Sequence, residues 1–141
     1  MFAILDTDHF SAIDRDSAVA QAFHRRRRAY AGELFLSIVT VEEVMRGWLA
    51  LLASKRKRQD EIAVYERMQR SAEMIAEWQL LPFDREALEH FDRLKSARLK
   101  MSTLDLKIAS IALAYDATLL SRNLRDFRQV PGLKVENWLD D

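Results

Sequence analysis

Cysteine is missing from this 141-residue chain. That excludes disulfides and thiolate metal sites, and it suits a reducing compartment. Glycine and proline are scarce, three and two in all, so most of the chain must be regular structure, with no linker, repeat or low-complexity stretch. No apolar run approaches the ~20 residues that span a bilayer. The opening Met1-Phe2-Ala3-Ile4-Leu5-Asp6 lacks the basic region and long apolar stretch of a signal peptide. A cytoplasmic protein that begins near Met1 and has no membrane contact is the expectation. Excess charge is also absent, because Lys plus Arg and Asp plus Glu both number 22. Any affinity for nucleic acid must come from local patches.

What is present is 49% apolar and 31% charged, an ordinary globular balance in a length that suits one domain, 1–141. Short apolar runs at Phe2–Leu5, Leu34–Val39, Thr118–Ser121 and Lys134–Asn137 read as strands, with a further short one at Leu80–Phe83. Helices are expected from a cap at Asp16 to about Tyr30, then over Val41–Ala53, Arg85–Leu99 and Thr103–Tyr115. From Arg58 to Trp78, the residues Ile62, Tyr65, Met68, Ala72, Ile75 and Trp78 recur at steps of three and four, one face of a long helix. Alternating strands and helices imply right-handed crossovers and a mainly parallel sheet with helices on both faces.

Four acids fall where such a fold opens its crevice, just past a strand or in a helix's first turn: Asp6, Glu43, Asp105 and Asp126. Each has a purely structural reading. Asp6 or Asp8 can cap a following helix. Thr40-Val41-Glu42-Glu43 matches a capping box, although Gly47, costly in mid-helix, leaves space one turn beyond Glu43. Ser102-Thr103-Leu104-Asp105 could also be a cap, yet Asp105 heads a stripe of Ile108, Ala109 and Ala112 that should be buried. Asp126 could be a plain loop acid, with Ser121 and Asn123 supplying neutral oxygens nearby. Massed together, four carboxylates are unfavourable without a cation, so binding a hard divalent metal is the first function to consider.

Leu5-Asp6-Thr7-Asp8, Ser37-Ile38-Val39-Thr40 through Gly47, Asp105-Leu106-Lys107-Ile108-Ala109, and Leu120-Ser121-Arg122-Asn123 with Asp126-Phe127 together resemble the PIN domain. More narrowly they resemble the VapC toxins of bacterial toxin–antitoxin pairs. The resemblance covers nearly the whole chain in order. It implies a three-layer α/β/α sandwich with a mainly parallel sheet of four to five strands, and a metal-dependent endoribonuclease. Mapped by motif, the metal-binding and catalytic acids are Asp6, Glu43, Asp105 and Asp126, with Thr7, Asp8, Ser121 and Asn123 in support. Asp8 stands where many relatives have Asn, and Ser121 and Asn123 replace a commoner Thr and, in some relatives, an Asp.

An all-oxygen set selects Mg²⁺, with Mn²⁺ as substitute, over zinc. His9, His24 and His90 show no ligand spacing and read as ordinary surface or core histidines. A metal-bound water would attack the phosphodiester in line, and by resemblance the products carry 3′-hydroxyl and 5′-phosphate ends. Arg46, Lys107 and Arg122 lie nearest the acids in sequence and are candidates for holding the RNA phosphates, with ion pairing to the acids as their plainer role. The runs His24–Arg28 and Lys55–Arg58 read as solvated helix-end charge or as phosphate contacts. The Ile62–Trp78 stripe means core packing, a dimer face or a groove for another chain's helix. The resemblance further implies a homodimer and a cognate VapB-like antitoxin. Two other readings compete. Asp6-Thr7-Asp8 mimics the opening of a haloacid-dehalogenase-like phosphatase with Asp6 as nucleophile, and a catalytically inactive PIN-like module could only bind RNA or protein.

Overall fold

The computed structural model describes residues 1–15, 17–55 and 57–140. Its elements in chain order are β1 Phe2–Leu5, α1 Thr7–Asp14, α2 Ala20–Ala29, β2 Glu33–Ser37, α3 Ile38–Ser54 and α4 Arg58–Ala76. They continue with β3 Leu80–Leu81, α5 Arg85–Ser96, α6 Thr103–Ala114, β4 Thr118–Leu120, α7 Leu124–Phe127 and β5 Lys134–Glu136. The five strands form one sheet in the order β3-β2-β1-β4-β5, and every pairing is parallel. The chain winds from β1 outward through β2 to β3, then returns to the other side of β1 for β4 and β5. Strand order therefore reverses between β1 and β4, where open α/β sheets place their crevice, at the carboxyl ends.

Period-two alternation along the strands builds the two cores. Ile4, Phe35 and Leu119 point to one face, where they join Leu94 of α5 and Leu106, Ile108 and Ile111 of α6. Ala3, Leu5, Leu36 and Leu120 point to the other, onto Phe10 of α1, Phe23 of α2 and the buried Trp138. The three-layer arrangement follows from apolar strands that must be covered on both faces. Gly32, before β2, is required by close approach: a Cβ there would lie 2.4 Å from the Met1 carbonyl oxygen.

Three expectations change. The strand–helix boundary comes earlier than the β-branched run Ile38-Val39 suggests. Ser37 ends β2, and its Oγ accepts the Thr40 amide at 3.2 Å, so α3 starts at Ile38. Thr40 is thus inside the helix and the Thr40 capping box does not form. On α4 Val64 and Ser71 are buried and Met68 and Ile75 half-buried, while Ile62 and Tyr65 are 59% and 54% exposed. The tie that sets this rotation is Ser71, whose hydroxyl donates to Asp14 of α1 at 2.5 Å. The third change is α2, which begins at Ala20 without a side-chain cap; the Asp16 cap falls outside the described residues.

Candidate active site

Asp6 follows β1 directly, in extended backbone, and caps α1 by accepting the His9 amide on Oδ1 at 2.8 Å. Its own amide donates to Leu120 at 3.0 Å, which fixes it between β1 and β4. The side chain is buried, and among the described residues Oδ2 takes no hydrogen bond. Capping therefore uses one oxygen and leaves the other available.

Glu43 lies in the second turn of α3. With the capping box gone, its Oε1 is held instead by the Thr7 hydroxyl at 2.7 Å, and that hydroxyl lies 3.2 Å from the one on Thr40. Helix α6 precedes the parallel strand β4, so it runs against the sheet and starts at the same carboxyl edge. Ser102 caps it through the Asp105 amide at 3.1 Å, which leaves the Asp105 carboxylate to turn toward the other acids. Burial pushes the Asp105 carboxyl above its ordinary range, and the Ser102 hydroxyl partly offsets this. The charges of Glu43, Asp6 and Asp126 act in the same direction as burial.

Asp126 sits on the short α7 beyond β4, where its Oδ2 accepts the Asn123 side-chain amide at 2.9 Å. The backbone amide of Asn123 in turn donates to the buried Ser121 hydroxyl at 2.9 Å. Thr7, Ser121 and Asn123 thus stand directly behind acids.

The other candidates are placed differently. Asp8 is exposed and lies 4.0 Å from Nε of Arg122, whose Nη2 is 3.9 Å from Asp140. Lys107 holds its Nζ 5.8 Å from the ring centre of Phe83. Arg46 pairs with Glu42 one turn back on its own helix, beside the exposed apolar face of Ile38, Met45 and Leu49. That contact is the plainer role expected of Arg46, an ion pair with a neighbouring acid, here Glu42 rather than Glu43. In the basic runs, Arg26, Arg27 and Arg28 occupy the last turn of α2, and Arg27 lies over Trp78 at 5.1 Å. Arg56 of the second run is outside the described residues.

His9 is the contributor that spacing missed. It is fully buried, and its Nε2 accepts the Trp138 amide at 3.1 Å. The ring proton is therefore on Nδ1, 3.3 Å from Asp6 Oδ1. Its position three residues after Asp6 was a local signal, but its partner Trp138 is 129 residues away.

Whether these residues suit a cation can be judged from the donors themselves. As they stand, among the described residues no three acidic or histidine side chains close on a single point. The donors are all oxygen, which fits Mg²⁺ or Mn²⁺ rather than a softer metal. Asp6, Glu43 and Asp126 are each gripped through one oxygen, while Asp105 carries unrelieved like charge.

The family model described as PIN domain matches residues 3–133. Over 114 residues the chain is 30% identical to a protein named Ribonuclease VapC2 of Haemophilus influenzae, spanning 77% of this chain and 78% of that protein. A shorter stretch of 34 residues is 50% identical to Ribonuclease VapC2 of Rickettsia felis, 24% of this chain and 25% of that one. Among solved structures, VapBC2 from Rickettsia felis bound to a promoter DNA fragment superposes with TM-score 0.74 at 20% identity, covering 98% and 99% of the two chains. VapBC-1 from nontypeable Haemophilus influenzae gives 0.73 at 22% identity, covering 99% and 100%. These two structural likenesses concern the fold.

Proposed function

The chain belongs to the PIN domain family, and on that premise we propose that it is a metal-dependent endoribonuclease, the toxin of a VapBC-type toxin–antitoxin pair. The observation that carries the proposal is the family match together with a topology that puts Asp6, Glu43, Asp105 and Asp126 just past a strand or in the early turns of a helix at the sheet's carboxyl edge. That charges from these separate segments act on the Asp105 carboxyl in the same direction as burial supports reading the four acids as one site.

Asp6 and Asp105 would hold Mg²⁺, or Mn²⁺, with Glu43 and Asp126 completing the shell directly or through water. Bound there, the ion supplies an activated water and positive charge against the phosphate oxygens. The chain's own residues aim these donors. The α1 cap holds Asp6, Thr7 holds Glu43, and Asn123, braced by Ser121, holds Asp126. The first turn of α6 directs its amide dipoles toward the Asp105 side. Hydrolysis in this arrangement leaves 3′-hydroxyl and 5′-phosphate ends.

The partner in this reading is a VapB-like antitoxin. A homodimer would use the exposed apolar line Ile38, Met45 and Leu49 on α3. The phosphatase alternative, with Asp6 as nucleophile, leaves Glu43 and Asp105 without a role. No described helix is long and apolar enough to cross a membrane.

The test is cleavage of a fluorescently labelled RNA by the purified chain with Mg²⁺, with Mn²⁺ and with chelator. The expected result is metal-dependent cutting that Asp6→Asn abolishes while the fold is retained. Full activity in that variant would refute the assignment, and no cutting by the wild type under any metal would favour the inactive binding module.

A further inference from the structure

A groove leads away from the acids between α1, α3 and α4. Its inner end, a cavity of about 260 Å³, is lined by Thr7 and Glu43, then by Gly47 and Trp48, and reaches Arg15 and Arg67. A second hollow of about 350 Å³ continues from Arg15, Trp48 and Arg67 to Arg70. Each is of a size that takes a nucleotide-sized group.

Two features of this groove, its unpaired arginines and its open glycine, go unexplained by folding. Arg15, Arg67 and Arg70 converge on it from two helices, and among the described residues none has a carboxylate within ion-pairing distance. The acid beside them, Asp14, is engaged by the Ser71 hydroxyl at 2.5 Å. The half-buried Trp48 lines both hollows, and the Arg67 guanidinium, 5.2 Å from its ring centre, stacks over one face of the indole. Gly47 stands exposed in mid-helix, and a Cβ there would meet nothing within 4 Å. Packing does not ask for glycine, and helix propensity favours alanine there by about 1 kcal/mol. An open glycine between the acids and an aromatic leaves room for something outside the protein.

Resting on the ribonuclease reading above, we propose that this groove seats single-stranded RNA flanking the scissile phosphate. One base stacks on Trp48, and Arg15, Arg67 and Arg70 take the neighbouring phosphates. Stacking on an aromatic is tolerant of base identity, and paired arginine–phosphate contacts make binding depend on salt. Repulsion between the RNA backbone and the acids is offset a short way along the strand rather than at the reacting phosphate itself.

Binding of a fluorescent 12-nucleotide single-stranded RNA of mixed sequence, measured in EDTA by anisotropy over a salt series, tests this without turnover. Trp48→Leu is expected to weaken binding about tenfold. Arg67→Gln with Arg70→Gln is expected to lower the slope of log K against log salt by about 1.4, roughly 0.7 per phosphate contact. Gly47→Leu keeps or raises the melting temperature, since its side chain enters open space, yet it weakens RNA binding by filling the path. Arg93→Gln, on α5 beside His90, leaves binding at the wild-type value. Wild-type affinity and slope in all the groove variants would overturn the proposal and leave the groove to a protein partner. Metal-dependent hydrolysis of bis(p-nitrophenyl) phosphate by the wild type, which engages a single phosphodiester, separately judges the nuclease reading. Its absence would sink that reading while the RNA-binding slopes still decide the groove.

Discussion

Replacing Asp105 by Asn keeps the size of the side chain and leaves the backbone amide that Ser102 caps, so α6 should form as before. What changes is charge. Without metal, the wild-type carboxyl is penalised by burial and by Glu43, Asp6 and Asp126; the amide is not. The metal-free variant should therefore melt above the metal-free wild type. With metal the order should reverse. Ligand binding stabilises the native state by RT ln(1 + [L]/Kd), about 2.7 kcal/mol when Mg²⁺ is at 100 times Kd. For a chain of this length that is roughly 10 °C in melting temperature. If loss of one donor weakens the ion about 100-fold, the upper end of what even an outer-shell change does, the same Mg²⁺ yields only about 0.4 kcal/mol. Thermal melts of both proteins with EDTA and with 10 mM Mg²⁺ read all four values. Equal metal-induced gains, or a metal-free variant less stable than the metal-free wild type, would refute the reasoning.

The same carboxyl sets a pH dependence. Its folded-state affinity for a proton exceeds the ordinary value of 3.8, so in chelator the native state binds more protons than the unfolded one above that pH. Stability should fall as pH rises from about 4 through the raised value, and the difference between wild-type and Asp105→Asn melts isolates this contribution; a flat difference curve would contradict it. Ser37→Ala removes the cap of α3 and should destabilise the fold by about 1 kcal/mol, as read by urea denaturation. It should also loosen Glu43, seen as a weaker Mg²⁺-induced gain in melting temperature. Arg98, just past α5, holds φ at 54°, the left-handed region unfavourable to residues with a Cβ. Arg98→Gly should stabilise by up to about 1 kcal/mol in the same titration.

The placement of the candidate acids was readable because α/β topology converts order along the chain into position at one sheet edge. Asp6 and Asp126 follow strands, and Asp105 opens a helix that runs against the sheet, so strand and helix assignments alone bring them near one another. The cap that Asp6 forms does not exclude a site role, since a carboxylate has two oxygens and the cap uses one. The boundary at Ser37 was misread because β-branched Ile38 and Val39 mimic a strand; a single side-chain cap outweighed that propensity. The rotation of α4 and the burial of His9 depend on Asp14 with Ser71 and on Trp138, partners 57 and 129 residues away. No window-based pattern contains such contacts.

The most direct test of the central claim is anomalous diffraction from crystals of the protein grown with Mn²⁺. A single anomalous peak, or a close pair, within about 2.5 Å of carboxylate oxygens from both Asp6 and Asp105 is the result expected. Fully occupied Mn²⁺ elsewhere on the protein, with those two carboxylates unliganded, would contradict it.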